Sequence, residues 1–343
     1  MDESSCVFEI IHQTIHCSEN KLKAKDLCET AGVSRSGYYA WLRASTARDR
    51  REEEDHRDFD IILNVYKKRG YSKGARGIHM DLLHEDPPVI MNVKKIRRLM
   101  KKYKLECPLR KLNPHKQLAR DMKTENVAEN LLRREFEKYG PRMVLLTDIT
   151  YLRYSDRFAY LSTIIDAYTK QILSYVVSSS LEVDFVLETI EKLIAEHGIS
   201  LHAETIIHSD QGSHYTSHKF IELVYNKELR RSMSRKGNCW DNAPQESFYG
   251  HMKDHIKDQL KNASSFDEVH RIVDDYIDYY NNERYQWDLA KLSPNEFYKF
   301  VTTGIYPLDI SHPPAAPVIE KKPWELGEKK TSEETENNNK KDT

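Results

Sequence analysis

A chain of 343 residues is long enough for two or three modest domains, and 39% hydrophobic residues suffice for a buried core. No apolar run approaches the length of a membrane span, and Met1 to Ile10 lack the basic stretch of a secretory signal, so we expect a soluble protein of the cytoplasm. The five cysteines, an odd number without a CxxC pair, argue against a disulfide scaffold.

The net charge of −1 conceals a strongly basic segment. Between Ile61 and Arg120 there are 16 Lys and Arg against 4 Asp and Glu. An excess of this size fits a surface that displaces counterions from a phosphate backbone. The segment therefore predicts nucleic-acid binding, although charge alone does not say which nucleic acid.

The first predicted elements are two short helices within residues 23–42. An apolar stripe precedes Gly32, and Ser34 suits the N-cap of a second helix that is rich in aromatic packing groups. Helix, glycine-containing turn and helix is the layout of a helix-turn-helix, which we assign to residues 1–50. An ordinary helical hairpin has the same local pattern and stays open as an alternative.

A second helical region, residues 51–125, carries most of the basic excess. After Asn92, apolar residues recur at helical spacing, and the opposite face holds the basic side chains Arg97, Arg98 and Lys101. One face is expected to pack and the other to meet phosphates. An extended basic linker follows over 105–125, and a short helix is predicted from Asn126 to Tyr139.

From residue 143 the pattern changes to β-branched, apolar runs separated by polar turns, which indicates three consecutive strands in a meander. Helices and strands then alternate, so we predict an α/β core with a mixed sheet over 126–300 and a disordered tail over 301–343. The predicted strands are 143–152, 158–167, 171–178, 204–210 and a short one at RRSMS; the predicted helices are 183–197, one from about 217, one from about 242, and 265–282.

Three acidic residues fall at chemically special positions in this order. Asp148 interrupts an apolar strand, where a carboxylate is costly to ionise unless a positive charge meets it. Asp210 ends the fourth strand, at the edge where open α/β sheets place ligands. Glu246 lies near a helix start, and 35 residues separate it from Asp210. Converging carboxylates repel one another, and two Mg²⁺ ions would neutralise them while leaving sites for phosphate oxygens and water.

The sequence around these acids resembles the three catalytic blocks of insertion-sequence transposases of the IS-three family. The blocks here are TDITYL, HSDQGSHYTS and NCWDNAPQESFYGHMK. LCETAGVSRSGYYAWL, RRLMKKYKL and NLLRREF are similar to the family's N-terminal region, and YYNNERYQWDL with SPNEF to its C-terminal block. The resemblance covers roughly residues 20–300.

The resemblance implies an RNase H-like mixed-sheet catalytic core of the retroviral-integrase DDE type, a helical N-terminal DNA-binding region and C-terminal helices. It implies that Asp148, Asp210 and Glu246 are catalytic and ligate Mg²⁺ or Mn²⁺, with two ions, and that Lys253 contacts DNA. Lys253 follows Glu246 by seven residues, two helical turns, so the two share one face. Further expected DNA contacts are Arg235, Lys236, Arg97, Arg98 and Lys101.

Two positions depart from the family pattern, which often has Trp where Leu145 stands and Gln where His214 stands. Neither is a proposed metal ligand, although His214 bears on a DNA contact. His12 and His16 have HxxxH spacing, but without a CxxC pair a zinc site is not expected. Nearby polar residues are expected to support the fold: Asp166, His208 and Asp241.

The implied reaction is metal-dependent phosphoryl transfer at DNA phosphodiesters, in which a polynucleotidyl transferase cleaves one strand and joins it by a copy-out, paste-in route. The expected partners are the element's terminal inverted repeats, target DNA, further copies of the chain, and an upstream-frame helix-turn-helix product, all at the nucleoid.

Two other functions fit parts of the sequence. A metal-dependent nuclease of the same fold would cut DNA without joining ends, and the N-terminal DNA-binding region argues against it. A non-catalytic DNA-binding regulator would use the helix-turn-helix alone, and the acidic triad argues against that.

Overall fold

The computed structural model describes residues 3–18, 20–71, 73–107, 128, 130–132, 138–234 and 242–319. These residues form two compact units, one from within 1–68 and 92–106, the other from within 69–91 and 107–343. None of the described helices is long and apolar enough to cross a membrane. The described cysteines are free thiols: Cys6, Cys17, Cys28 and Cys107.

The first unit is helical, and the second combines helices with a sheet. The first unit contains α1 (Glu3–Ile15), α2 (Ala24–Thr30), α3 (Arg35–Arg43), α4 (Ser45–Lys67) and α6 (Val93–Lys102). The helices of the second unit are α5 (Ala75–Leu83), α7 (Asp184–His197), α8 (Ser213–Thr216), α9 (His218–Asn226), α10 (Ala243–Asn262), α11 (Phe266–Asn282) and α12 (Pro294–Thr303). Its strands are β1 (Val144–Tyr154), β2 (Arg157–Asp166), β3 (Ile172–Ser178), β4 (Ile206–Ser209) and β5 (Arg230–Met233).

Helices α1 to α3 form a small cluster with its own apolar core. The predicted helix, turn and helix within residues 23–42 are confirmed. Gly32 turns the chain with a φ of +68°, a left-handed conformation that glycine adopts without steric penalty. Ser34 then begins α3, and its hydroxyl accepts a hydrogen bond from the Gly37 amide at 3.0 Å.

Helix α6 contacts α4, and the amphipathic helix predicted after Asn92 is confirmed. The Asn92 side chain caps its first turn by accepting a hydrogen bond from the Lys94 amide at 2.8 Å. Ile96 and Leu99 are fully buried. Burial of these apolar residues fixes which side of α6 is left for its basic side chains.

The five-stranded mixed sheet has the order β3-β2-β1-β4-β5. β1 pairs antiparallel with β2 and β2 with β3, which confirms the predicted meander. β4 runs parallel to β1, and β5 parallel to β4. The chain reaches β4 through α7, and β5 through α8 and α9, because parallel neighbours cannot be joined by tight hairpins. The predicted α/β core with a mixed sheet is confirmed.

The side chains of β1 divide between two apolar layers. Leu146 and Leu152 pack into the layer that contains residues of α10 and α11, whereas Leu145 packs into the layer that contains residues of α7 and α9. Side chains alternate along a strand, so Asp148 faces the same way as Leu146. The strand thus places this acid on the α10 side of the sheet.

Helix α5 belongs to the same unit as the sheet, although it precedes the basic helix α6 in sequence. The Tyr71 hydroxyl, just before α5, donates a hydrogen bond to Asp275 of α11 at 3.1 Å. The Nε2 atom of His84, at the end of α5, lies 3.2 Å from a carboxylate oxygen of Glu296 in the first turn of α12. These contacts tie the α5 segment to the C-terminal helices.

The helix predicted from Asn126 to Tyr139 is absent from the described part of that stretch, residues 128, 130–132 and 138–139. The chain lies instead against the last strand. The Ala128 amide donates to the sulfur of Met233, and the Leu131 amide donates to the Ser232 hydroxyl at 3.0 Å. Bonding to β5 replaces the hydrogen bonds that a helix would have made within itself.

The segment after α12 was expected to be disordered, but part of it packs on the second unit. Tyr306, Leu308 and Ala316 lie against a buried cluster that includes Phe300, and the Tyr306 hydroxyl donates to the Ala290 carbonyl at 2.8 Å. The final part of the predicted tail, 320–343, lies outside the described residues.

Candidate active site

Asp148 and Asp210 belong to neighbouring parallel strands. In the β1–β4 ladder Leu146 is paired with His208. The ladder ends there. Two residues further along the chain come Asp148, still on β1, and Asp210, just after β4, and a continued register would point both to the same face. The register therefore brings the first two predicted acids together on one side of the sheet.

The backbone just after β4 orients Asp210. Its Oδ1 atom accepts a hydrogen bond from the Gly212 amide at 2.9 Å. A Cβ atom at position 212 would lie only 2.9 Å from that same oxygen, closer than real contacts allow. A side chain at position 212 would therefore require the Asp210 carboxylate to shift from this position.

Helix α10 is fastened to β1 and β2 beside Asp148. The Tyr249 hydroxyl donates to the Asp148 carbonyl at 2.6 Å and lies 2.9 Å from the Thr163 hydroxyl. The Thr163 hydroxyl in turn accepts from the Gln245 side-chain amide. Glu246 lies one helical turn before Tyr249, so this chain of hydrogen bonds positions Glu246 close to the two strand acids.

Asp148 feels the charges of both other acids. The pKa of Asp148 is raised to about 7, first by burial and then by the negative charge of Asp210, with a smaller contribution from Glu246. The Ile149 amide, which donates to Asp148 Oδ1 at 2.8 Å, and the charge of Lys253 oppose the rise. Burial also raises the pKa of Glu246.

The acids share one neighbourhood without forming a closed ligand set. Within the described ranges, no three or more His, Cys, Asp or Glu side chains lie close enough to hold a metal ion. The donor chemistry nevertheless fits hard divalent cations such as Mg²⁺ and Mn²⁺, which prefer carboxylate oxygens. The like-charge repulsion that raises the pKa of Asp148 is the interaction that a cation would relieve.

Lys253 lies on α10, two turns after Glu246, as its spacing predicts. Burial lowers the pKa of its ammonium group, and the charge of Asp148 opposes that effect. The lysine is thus within electrostatic range of the acids. Two other predicted DNA contacts, Arg235 and Lys236, lie outside the described residues, as does Asp241.

The basic face of α6 is partly neutralised by α4, which the sequence analysis did not foresee. Arg98 donates to both carboxylate oxygens of Asp55 at 2.7 Å, and these bonds lower the pKa of Asp55. Arg97 and Lys101 are exposed and make no ion pair within the described part of the chain. The run REEEDHRD within α4 was the available signal for this pairing.

Two polar residues near the acids support the fold, as predicted. Asp166 is fully buried and accepts hydrogen bonds from the Arg142 amide at 3.1 Å and the Thr169 hydroxyl at 2.9 Å. His208 is also fully buried, between the hydroxyls of Ser232 and Ser234 at 2.9 and 3.1 Å. His214, which stands where the family pattern often has Gln, has its Nε2 atom 2.7 Å from the Leu181 carbonyl.

Comparison with known proteins places this chain among integrase-core proteins. Family models described as integrase core domain match residues 120–239 and 227–294, and an HTH-like domain model matches residues 52–111. The helix-turn-helix layout of residues 23–42 precedes this last match.

Two curated relatives and one solved structure illustrate the similarity. The insertion element IS600 uncharacterized 31 kDa protein of Shigella sonnei is 30% identical over 79% of this chain and 97% of its own length. The transposase InsF for insertion sequence IS3A of Escherichia coli K12 is 27% identical over 82% of this chain and 95% of its own length. The HTLV-2 integrase catalytic core domain in complex with magnesium, in a dimeric form, matches with a TM-score of 0.36 and 14% identity over 46% of this chain and 97% of that chain.

The mixed sheet, the acids at the edge of its parallel strands and the two integrase-core matches define a protein with an RNase H-like, integrase-type core. The chain belongs to the insertion-sequence transposases of the IS-three family, as its similarity across most of its length shows.

Proposed function

We propose that this transposase cleaves and joins DNA strands with Asp148, Asp210 and Glu246 as ligands of two divalent metal ions, Mg²⁺ or Mn²⁺. The observation that carries the proposal is the convergence of the three acids. In its support, β1 and β4 pair up to Leu146 and His208, two residues before each aspartate, and the Tyr249 hydrogen bond fastens the helix of Glu246 to the Asp148 carbonyl. Three carboxylates that lie close together can supply the ligands of a two-metal phosphoryl-transfer site.

The proposed metal site explains an otherwise unfavourable arrangement. A buried carboxylate beside two further acids is unfavourable when all three are ionised, and burial, followed by these like charges, raises the pKa of Asp148. Bound divalent ions would supply charge neutralisation, activation of water or of a DNA 3′-hydroxyl, and stabilisation of the leaving oxygen. The acids would only hold the metal ions in position, so the reaction requires no covalent link between protein and DNA.

The remaining groups hold the DNA around the acids. Lys253 shares the electrostatic neighbourhood of Asp148 and is proposed to contact a phosphate next to the reacting one. Arg235 and Lys236 are proposed to hold DNA near the acids, and the exposed cations Arg97 and Lys101 to bind the element's ends. Arg98 contributes to the basic surface although Asp55 offsets its charge.

The proposed partners follow from the reaction. The chain binds the terminal inverted repeats and the target DNA at the nucleoid, assembles as a homo-oligomer on them, and associates or is fused with an upstream-frame helix-turn-helix product. One strand is cleaved and joined to the other end, and the resulting circle is later inserted. Because joining distinguishes this reaction from simple hydrolysis, a nuclease would release cut ends without joined product.

The test is Asp210→Asn assayed on labelled element ends in Mg²⁺. Asn keeps the shape but loses the charge that holds a cation, so cleavage and joining should both fall roughly a thousandfold or more while end binding persists. Asp258→Asn, at an exposed position on α10, is the matched control and should retain activity. Joining at close to the wild-type rate by Asp210→Asn would refute the assignment.

A further inference from the structure

An exposed tryptophan lies in the short loop between α11 and α12. Trp287 is 40% exposed although tryptophan is usually largely covered in folded proteins. The loop around it is closed by two backbone hydrogen bonds of 3.0 Å, from the Gln286 amide to the Leu292 carbonyl and from the Lys291 amide to the Gln286 carbonyl. Trp287 is thus displayed from a closed turn rather than from a loose segment.

Two cations lie over this one ring. The guanidinium carbon of Arg76, on α5, is 5.1 Å from the ring centroid of Trp287, and the ammonium of Lys291 is 5.5 Å from it. Cations are attracted to the face of an indole ring at such distances. Among the rings of the described residues, Trp287 alone holds two cations. We name Trp287, Arg76 and Lys291 the Trp287 clamp.

The backbone is strained where it delivers Lys291 to the ring. Ala290 and Lys291 have φ values of 54° and 67°, in the left-handed region that residues other than glycine avoid. Two consecutive residues of this kind persist only when their surroundings hold them, and such strain concentrates at binding sites. Leu289 and Leu292 are buried on either side and anchor the turn. The surrounding structure therefore holds Lys291 beside the ring in a strained backbone conformation.

The clamp keeps its positive charge. Neither Arg76 nor Lys291 makes an ion pair with any carboxylate in the described part of the chain. The neighbouring acid in sequence, Asp288, is exposed and takes no part in the described ion pairs. Other basic groups are neutralised, such as Arg69, which pairs with Asp275, Asp278 and Glu283. An aromatic ring offsets part of the repulsion between two cations without cancelling their charge.

We propose that the Trp287 clamp binds the phosphodiester backbone of the DNA substrate, at a contact separate from the three acids. The inference rests on the proposed function, since it takes DNA as the substrate. An anionic backbone supplies the counter-charge that the two cations lack, and cations already fixed on a ring lose little side-chain freedom when a phosphate binds. The contact is independent of base sequence and positions the duplex.

The test measures binding of a labelled duplex carrying the element's end, by fluorescence anisotropy at several salt concentrations. Arg76→Gln and Lys291→Asn should each make the slope of log affinity against log salt shallower by about 0.9, because one phosphate contact and its counterion are lost. Asn tolerates the left-handed conformation at 291, so the turn is kept. Lys291→Arg should retain the wild-type slope, and Trp287→Leu should lower affinity several-fold.

Lys299→Gln provides the matched control, because Lys299 is an exposed lysine of α12 without a described ring contact. Urea unfolding of each variant identifies any loss of folding. Unchanged slopes in both Arg76→Gln and Lys291→Asn would overturn the clamp. If the wild-type protein still cleaves and joins the same DNA in Mg²⁺, that result leaves the proposed function standing. A wild-type protein that neither binds nor cleaves the DNA would overturn both.

Discussion

At the scale of single residues, Asp148 has two opposing requirements. Its strand neighbours place it in an apolar layer, which favours the protonated carboxyl, and ligation of a cation requires the ionised one. Burial and the charges of Asp210 and Glu246 raise its pKa to about 7. Without a cation, the folded protein therefore binds a proton between the unfolded pKa, near 3.9, and about pH 7, where the unfolded chain has released it.

The first prediction concerns the pH dependence of stability. An acid with a raised pKa in the folded state gives stability that is present below its unfolded pKa, near 3.9, and lost as pH rises through about 7. In EDTA, Asp148→Asn removes this loss. The variant's gain in free energy of unfolding should be about 2 kcal/mol larger at pH 8 than at pH 5. Urea titrations at both pH values measure the difference.

The control for this prediction is Asp258→Asn, the same substitution at an exposed position of α10. Mg²⁺ offers a second check. Added Mg²⁺ should stabilise the wild-type protein more at pH 8 than at pH 5, because protons compete with the cation for the acids. Equal stabilisation of wild type and Asp148→Asn by Mg²⁺ would speak against a ligand role for Asp148.

The second prediction concerns Lys253. Its ammonium is within electrostatic range of Asp148, yet a phosphate bound beside the acids is its proposed partner. Lys253→Ala should weaken DNA binding and reduce the salt slope by about 0.9, with Mg²⁺ affinity little changed. Lys257→Ala, one turn further along α10 and exposed, is the comparison variant. An unchanged slope and an unchanged strand-transfer rate would make Lys253 an ordinary surface lysine.

The sequence singled out Asp148, Asp210 and Glu246 by their order, their context and the resemblance of the blocks around them, and their role as metal ligands stays a prediction. It did not reveal Tyr249 or Gln245, because their role is defined by hydrogen bonds to β1 and β2 across the fold. A tyrosine three residues after Glu246 has the right helical spacing, but spacing does not identify its partner.

At the scale of elements, α10 contributes Glu246, the third of the proposed ligands. Its buried residues pack beneath the sheet, and the Tyr249 hydroxyl fixes its first turns to the Asp148 carbonyl. The bond ends a chain that runs from the Gln245 amide through the Thr163 hydroxyl. Hydrogen bonds in such chains strengthen one another, and a missing member leaves buried polar groups without partners.

The third prediction is that Tyr249→Phe impairs both folding and catalysis. Removal of the hydroxyl leaves the Asp148 carbonyl and the Thr163 hydroxyl poorly satisfied, which should lower the free energy of unfolding by about 1–3 kcal/mol. Loosening of α10 should also reduce the strand-transfer rate roughly tenfold or more, with DNA affinity nearly unchanged. Urea unfolding and single-turnover joining measure the two effects. Tyr225→Phe, at an 81% exposed position, should alter neither.

Elements with long periodic patterns of apolar residues could be predicted from the sequence more accurately than short segments. The strands β1 to β3 and the helices α10 and α11 have long apolar patterns, and the sequence located them within a few residues. At the described residues of 126–139, namely 128, 130–132 and 138–139, the expected helix is absent, because a short segment can bond to a sheet edge as readily as to itself. Pairing of the basic face of α6 with Asp55 also escaped prediction, since it depends on how two helices meet.

At the scale of the whole molecule, sequence order and spatial order differ. The segment 69–91 lies between two parts of the helical unit in sequence, yet it belongs to the unit that contains the sheet. Its attachment includes a stack of His84 on Tyr285, with ring centroids 3.4 Å apart, and the Tyr71 bond to Asp275. The sequence pattern groups the whole of 51–125 in one region, because nothing in a local pattern tells which unit a helix will join.

The final prediction concerns the attachment of α5 to the unit that contains the sheet. A cut after Cys107, near the end of the region 52–111 that the HTH-like model matches, separates α5 from the unit that contains the sheet. Tyr71, just before α5, is buried in the apolar layer that contains residues of α10 and α11, and His84 at the end of α5 stacks on Tyr285, so the cut removes these contacts from the fragment 108–343. The fragment 108–343 alone should therefore unfold at lower urea and bind a hydrophobic dye. Coexpressed fragments 1–107 and 108–343 should copurify and regain the urea midpoint of the second unit. Unfolding of 108–343 alone at the same midpoint as in the full chain would show that α5 adds nothing to the core.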